Sequence, residues 1–338
     1  MRAVGYLTPQ PITAETSLVD IDLPIPEARG HDLLVEVKAV SVNPVDTKVR
    51  SAAQPEPGQH RILGYDASGV VKAVGENVTL FKPGDEVFYA GVINRPGTNS
   101  EFHLVDERIV GLKPKTLSFA EAAAIPLTAI TAYEMLFHRL KVHDKVGGAN
   151  NALLVTGGAG GVGSMAIQLA RSLTNLTIIT TTSRPETSQW VKDLGAHHVL
   201  DHSNALAPQY AALDIGAPAF IFSVTRSDLH VADLQAIIAP QGRFGIIDDI
   251  KGGFDVMPFK GKAVSIHWES MFTRPVFQTA DMIEQHKLLM HIAELVETGQ
   301  IRTTLTETLG TINAANLKKA HALIESGRTK GKIVLEGF

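Results

Sequence analysis

Apolar and polar positions alternate in two different ways along the chain. Up to about residue 124, short apolar runs with period-two alternation are cut by turn residues. Residues 33–40, 69–74, 86–89 and 101–105 read as strands, with breaks at Pro24-Ile25-Pro26, Asn43-Pro44, Pro55-Glu56-Pro57-Gly58, Lys82-Pro83-Gly84-Asp85 and Arg95-Pro96-Gly97. Residues 119–125 and 128–140 read as helices with Pro126 between them. Strand-like and helix-like segments then alternate. Strands are expected at 152–156, 177–182, 219–224, 244–247 and 263–267, helices at 163–172, 185–194 and 227–238, and a short extra strand at 195–200 after a helix C-cap. That spacing predicts an open parallel sheet of about six strands. The tail reads as helices at 279–297 and 314–326 and a last strand at 332–335.

The segment between Lys145 and Arg171 carries no charge, and within it Leu153-Leu154-Val155-Thr156 breaks into five glycines in seven residues, Gly157 to Gly163. Gly158, Gly160 and Gly163 fit G-x-G-x-x-G between a strand and a helix, and Gly161 and Val162 complete the turn. The first glycine is expected to allow the turn, the second to let backbone approach a pyrophosphate, and the third to let helix pack on strand. Helix N-terminal amides then face the phosphates. A membrane span and a purely structural glycine turn are the alternatives; Asn150, Asn151, Thr156, Ser164 and Gln168 make the stretch too polar for the first.

The end of the next predicted strand bears on which dinucleotide is bound. A site for NAD would place a carboxylate there to hold the ribose 2′-hydroxyl. This chain has Thr180-Thr181-Thr182-Ser183-Arg184, and no carboxylate before Glu186. Ser183 and Arg184 suit a 2′-phosphate, which a carboxylate would repel, so the expected cofactor is NADP(H). A solvated loop charge is the other reading of Arg184.

Bulk properties narrow the class. At 338 residues the chain has room for two domains, and 44% apolar and 20% charged residues describe an ordinary globule. A net charge of -4 without a dense basic block gives no expectation of a nucleic-acid or membrane surface. The N-terminus does not read as a signal peptide, and the expected location is cytoplasmic. Cysteine is absent, which excludes disulfides, a thiolate nucleophile and cysteine-ligated zinc.

Several ordered motifs resemble the medium-chain dehydrogenase/reductase superfamily. Asn43-Pro44-Val45-Asp46 is similar to the NPxD segment of its zinc-free quinone oxidoreductase branch. Gly64-Tyr65-Asp66-Ala67-Ser68-Gly69 resembles the segment that reads GHExxG in zinc alcohol dehydrogenases; Phe81 to Val87 resembles the (F/Y)xxGDxV turn; Pro126 to Tyr133 resembles the P-x-x-x-x-T-A helix. The resemblance covers the full length and is nearest to the zinc-type alcohol dehydrogenase-like group. It implies an α/β protein: a Rossmann doubly wound parallel sheet at 125–271, plus a β-rich GroES-like catalytic domain formed by 1–124 and 272–338. It also implies that Thr128 lies near the nicotinamide, that Ser223, Val224 and Thr225 line the ribose, that Ile247 and Asp248 flank the carboxamide, and that the protein is a homodimer. Trp268, Met271 and Phe272 read as an aromatic patch at the dimer edge, or as simple core.

The group's name promises zinc, but the catalytic cysteine position falls at or beside Asn43, the histidine position is Tyr65 and the glutamate position is Asp66. No metal is therefore expected. His197, His198 and His202 read as exposed loop residues, with a stray metal site as the alternative. Without a metal, hydrogen-bond donors must hold the negative charge that hydride transfer builds on oxygen. Tyr65 is the expected donor, Asn43 offers amide donors, and Asp46 is expected to orient them. Such a site suits quinones and α,β-unsaturated carbonyls better than saturated alcohols. A zinc alcohol dehydrogenase and a non-catalytic NADPH-binding sensor remain the alternatives. His103 is expected to face solvent, with the cleft as the alternative, and His286 and His291 lack same-face metal spacing.

Overall fold

The computed structural model describes residues 1–250 and 252–338 and divides them into two units, Met1–Ile130 with Phe272–Phe338, and Thr131–Met271. Among the described residues, no helix is long and apolar enough to cross a membrane.

The first unit is built on a seven-stranded sheet. Its strand order is Leu305–Thr308, Lys332–Glu336, Asp32–Val42, Ala67–Val74, Glu86–Tyr89 and Val110–Leu112, with Phe102–Asp106 also pairing Asp32–Val42. All of its ladders but the one between Leu305–Thr308 and Lys332–Glu336 are antiparallel. Arg2–Tyr6, Val19–Asp22 and Arg61–Ile62 form a small second sheet. Those three strands are short or lie among turn residues, and periodicity alone does not reveal them. Asn43-Pro44 reads as a turn but opens the helix Pro44–Ala52. Its signal was capping chemistry rather than period. Asn43 sits at the cap, Pro44 at the first helical position, and Asp46 reaches back to the Asn43 N–H at 2.7 Å. The tail helix begins later than its pattern, at Glu284, after a separate turn of helix at Thr273–Phe277.

The second unit is the expected six-stranded parallel sheet, in the order His198–Asp201, Thr177–Thr182, Asn150–Val155, Pro218–Ser223, Arg243–Ile246, Ser265–Trp268. Strand order reverses at Asn150–Val155, the place where such sheets bind ligands beyond their carboxyl ends. Leu154, Ile179, Ile221, Phe244 and Ile246 carry its core. The helix expected at 128–140 is α-helical over Pro126–Tyr133 and then widens to a π-helix over Glu134–Arg139, closed by the bond from Leu140 N–H to Met135 O. Leu127 and Thr128 belong to the first unit, although a change of texture at residue 124 pointed to an earlier division.

Candidate functional site

Gly157 to Gly163 form a tight turn from strand Asn150–Val155 into helix Gly161–Leu173. The left-handed residue is Gly157, at φ 63°, and not Gly158 as the motif suggests. Gly158 is needed for another reason: a Cβ there would drive into the Thr180 side chain. Gly163 lies so close to the turn that a Cβ would sit 2.5 Å from Gly157 O and 2.7 Å from Gly158 Cα. Gly160 is different. A Cβ there meets only Gly157 O, at 3.6 Å, so its missing side chain leaves open space beside the helix N-terminus. Gly160 caps that helix without a side-chain bond, and the first amides, beginning with Gly161 and Val162, have no intrahelical acceptor. An anion is the natural partner for such an end.

The neighbouring strand ends complete this face of the sheet. Gly157 N–H donates to Thr181 Oγ1 at 2.9 Å, which ties the turn to strand Thr177–Thr182. Ser183 is exposed, and Arg184 caps helix Pro185–Asp193 with its Nε 3.3 Å from Glu186 Oε1. That exposed ion pair is weak and exchangeable. Ser223 Oγ lies 2.6 Å from Ser227 Oγ, and Val224 N–H donates to Thr156 Oγ1 at 2.9 Å. Thr225 is exposed beside Gly157. Ile247 is half-buried, and its N–H donates to Ser223 O. Asp248 spends both carboxylate oxygens on Ser227, one on its N–H and one on its hydroxyl. These residues therefore gather where strands Thr177–Thr182, Pro218–Ser223 and Arg243–Ile246 end.

The candidates of the first unit form one buried network. Asp46 accepts from Asn43 N–H at 2.7 Å and from Gly64 N–H at 2.9 Å, so it staples the start of its helix to the turn that carries Tyr65. Burial pushes the Asp46 carboxyl up to about 7, against those two bonds and the nearby Lys332 ammonium. Asn43 departs from expectation. Its Nδ2 donates to Ser41 O and to Asp66 Oδ2, at 3.3 and 2.8 Å, so its amide donors are spent inside the fold because the side chain is buried. Tyr65 is fully buried, its ring meets Phe272 edge-on at 5.4 Å, and its hydroxyl makes no hydrogen bond. Burial raises the phenol above its ordinary pKa, Asp46 adds to that, and Arg61 opposes it. Thr128 is buried and its hydroxyl donates to Ile125 O at 3.0 Å.

Two members of this network are not evident from the sequence: Asp66 as its hub and Lys332 as its cation. Lys332 opens an apolar strand, and a buried lysine leaves no periodic signal. Histidine placement also needs correction. His103 is buried, not solvent-facing, with Nδ1 3.2 Å from the Tyr89 hydroxyl and Nε2 3.0 Å from Pro96 O. His197 Nδ1 accepts from Ile178 N–H and His202 Nδ1 meets Thr181 Oγ1, so both serve the sheet. Among the described residues, no group of three His, Cys, Asp or Glu could hold a metal. The expected aromatic patch does not form: Trp268 is 56% exposed, Met271 is buried and Phe272 packs on Tyr65.

His103 has a testable consequence. Burial, with help from Arg95, lowers its pKa to about 4, against the Pro96 carbonyl and Asp32. The neutral ring is the one that folds, so its contribution is complete above the unfolded value near 6.5 and is lost as pH falls through about 4. Melting midpoints measured from pH 7 down to pH 4 should fall less steeply in His103→Gln than in the native protein. Equal slopes would remove His103 as a cause.

A Rossmann sheet with a glycine cradle, joined in sequence to a β-rich unit, defines an oxidoreductase of the medium-chain dehydrogenase/reductase type. Residues 29–132 match the alcohol dehydrogenase GroES-like domain and residues 194–335 match the zinc-binding dehydrogenase domain. A zinc-type alcohol dehydrogenase-like protein of Staphylococcus aureus (strain MRSA252) is 38% identical over 336 residues, 99% of each chain. The crystal structure of a putative zinc-dependent alcohol dehydrogenase protein from Rhizobium etli CFN 42 is 64% identical with a TM-score of 0.98, covering 100% of this chain and 98% of that one. The quinone oxidoreductase of Coxiella burnetii is 25% identical with a TM-score of 0.82, covering 100% and 99%. The chain belongs to the zinc-type alcohol dehydrogenase-like family of the medium-chain dehydrogenase/reductases.

Proposed function

We propose that this protein is an NADPH-dependent, zinc-independent oxidoreductase that reduces quinones or α,β-unsaturated carbonyls. The observation that carries the reading is the end of strand Thr177–Thr182, where Ser183 and Arg184 stand and no carboxylate precedes Glu186. The glycine cradle and the amides of helix Gly161–Leu173 would hold the pyrophosphate, and Ser183 and Arg184 the 2′-phosphate. Ser223, Val224 and Thr225 would line the ribose, and Ile247 and Asp248 the nicotinamide. NADPH supplies a hydride when bound. Arg184→Ala should raise the KM for NADPH roughly 10- to 100-fold and leave that for NADH unchanged. Equal effects on both coenzymes would defeat the assignment.

Zinc does not suit the residues that stand where the family name would place it. An amide, a phenol and one carboxylate are a poor donor set, and the acceptor oxygens of Asn43 and Asp66 already face the Lys332 ammonium. The reaction must instead rely on dipoles, and it favours acceptors that delocalise charge. The Tyr65 hydroxyl spends no hydrogen bond within the fold, and Asp46 fixes the turn that carries it. Loss of NADPH absorbance in stopped flow, with a panel of quinones and enones, tests the reading. No turnover with any acceptor counts against it. A homodimer is proposed as well, because Ser265–Trp268 is a sheet-edge strand with an exposed tryptophan. Light scattering that finds a monomer would exclude it.

A further inference from the structure

Lys332, Asn43 and Asp66 meet at one end of three neighbouring interior strands of the seven-stranded sheet. Lys332 opens strand Lys332–Glu336, Asn43 follows strand Asp32–Val42, and Asp66 precedes strand Ala67–Val74; the three strands are neighbours. The Lys332 Nζ donates to Val42 O at 3.1 Å, to Asp66 Oδ2 at 3.0 Å and to Asn43 Oδ1. All three of its N–H groups are used. Lys332 is only 3% exposed and Asp66 is 0% exposed. An ammonium so deep is tolerated only when paired and fully hydrogen-bonded.

Asp66 also faces the other way. Its Oδ1 accepts from Leu127 N–H at 2.7 Å, in the first turn of helix Pro126–Tyr133. A carboxylate at a helix N-terminus holds that end by charge and by hydrogen bond. Thr128 is the next residue. A chain of contacts therefore runs from Lys332 through Asp66 to the start of this helix. We infer that Lys332 is a built-in cation that takes the place of a metal ion at Asn43 and Asp66, and that it is a positioning residue, holding Asp66 as the anchor of the helix that begins at Pro126. The resemblance of these positions to the ligands of zinc alcohol dehydrogenases puts a metal where this chain has a side chain of its own. Metal would have to displace Lys332 before it could reach either oxygen.

The test uses the whole 338-residue chain and needs no cofactor. Lys332→Met leaves Asp66 without its cation, and its melting midpoint should fall by roughly 10 °C. Lys332→Met/Asp66→Asn leaves no unpaired charge and should recover most of that loss, which also keeps the idea testable if the single variant fails to fold. The distinguishing readout is hydrogen–deuterium exchange. In the double variant, amides in residues 127–133 should exchange roughly tenfold faster than in the native protein while the rest of the chain does not. A Lys332→Met protein as stable as native would overturn the inference. So would native protection of 127–133 in the double variant, since the pair would then be plain core. Stoichiometric zinc in the purified native protein would overturn the replacement of the metal. A kinetic arm, a raised KM for NADPH in the double variant, rests on the proposed function. Its failure beside a positive exchange result would count against that function and leave Lys332 in place.

Discussion

Gly160→Val should leave the melting midpoint close to native and, on the proposed function, weaken NADPH binding roughly 100-fold, about 2.8 kcal/mol. Gly163→Ala should do the reverse and destabilise the fold before binding can be measured. The two glycines stand three residues apart in one motif, and the difference lies in what surrounds them. At Gly160 the backbone has φ −73° and ψ 173°, which any residue adopts, and a side chain would point into open space. On the proposed function, that space is where a pyrophosphate approaches the amides of the helix. At Gly163 an added methyl meets the Gly157 carbonyl oxygen at 2.5 Å, the Gly158 Cα at 2.7 Å and the Gly157 carbonyl carbon at 3.0 Å. All three are backbone, and none can turn aside. Overpacking of this kind costs roughly 1–3 kcal/mol or more. Fluorescence titration with NADPH and a thermal melt of each variant check the pair. A Gly160→Val protein that binds NADPH as tightly as the native one would remove the glycine turn from the site.

Asp46→Ala should cost roughly 2–5 kcal/mol, because it strands two buried N–H groups, those of Asn43 and Gly64. Asp46→Asn keeps one acceptor oxygen and should lose about half as much. The consequence reaches Tyr65, which follows Gly64 directly. Gly64 has φ 106°, and a Cβ there would press on Thr98 and Asn99, so the turn has little freedom once Asp46 holds it. On the proposed function, turnover in Asp46→Asn should therefore fall more than the KM for NADPH rises. Urea melts measure the first effect and steady-state rates the second. An Asp46→Ala protein with native stability would show that the staple contributes nothing.

The balance between chain and fold is clearest residue by residue. The parallel sheet was legible because strands buried on both faces read as apolar runs and helices return at regular spacing. The glycine turn was legible because few residues other than glycine tolerate such backbone approach. Helix Pro44–Ala52 was written in its cap, Asn43 to Asp46, where a reading by period alone finds only a turn. The short strands Arg2–Tyr6 and Val19–Asp22 were hidden because pairing, not pattern, makes them strands.

Residue identities alone thus determined two things: a glycine-rich turn from strand to helix in a parallel sheet, and the absence of any cysteine that could hold zinc. Tertiary structure decided the rest of the candidate site. It turned the Asn43 amide inward, buried His103, and brought Lys332 across two strand boundaries to Asp66. Those outcomes depend on which strands lie side by side and which polar groups must be satisfied once water is gone, and neither is written in local sequence.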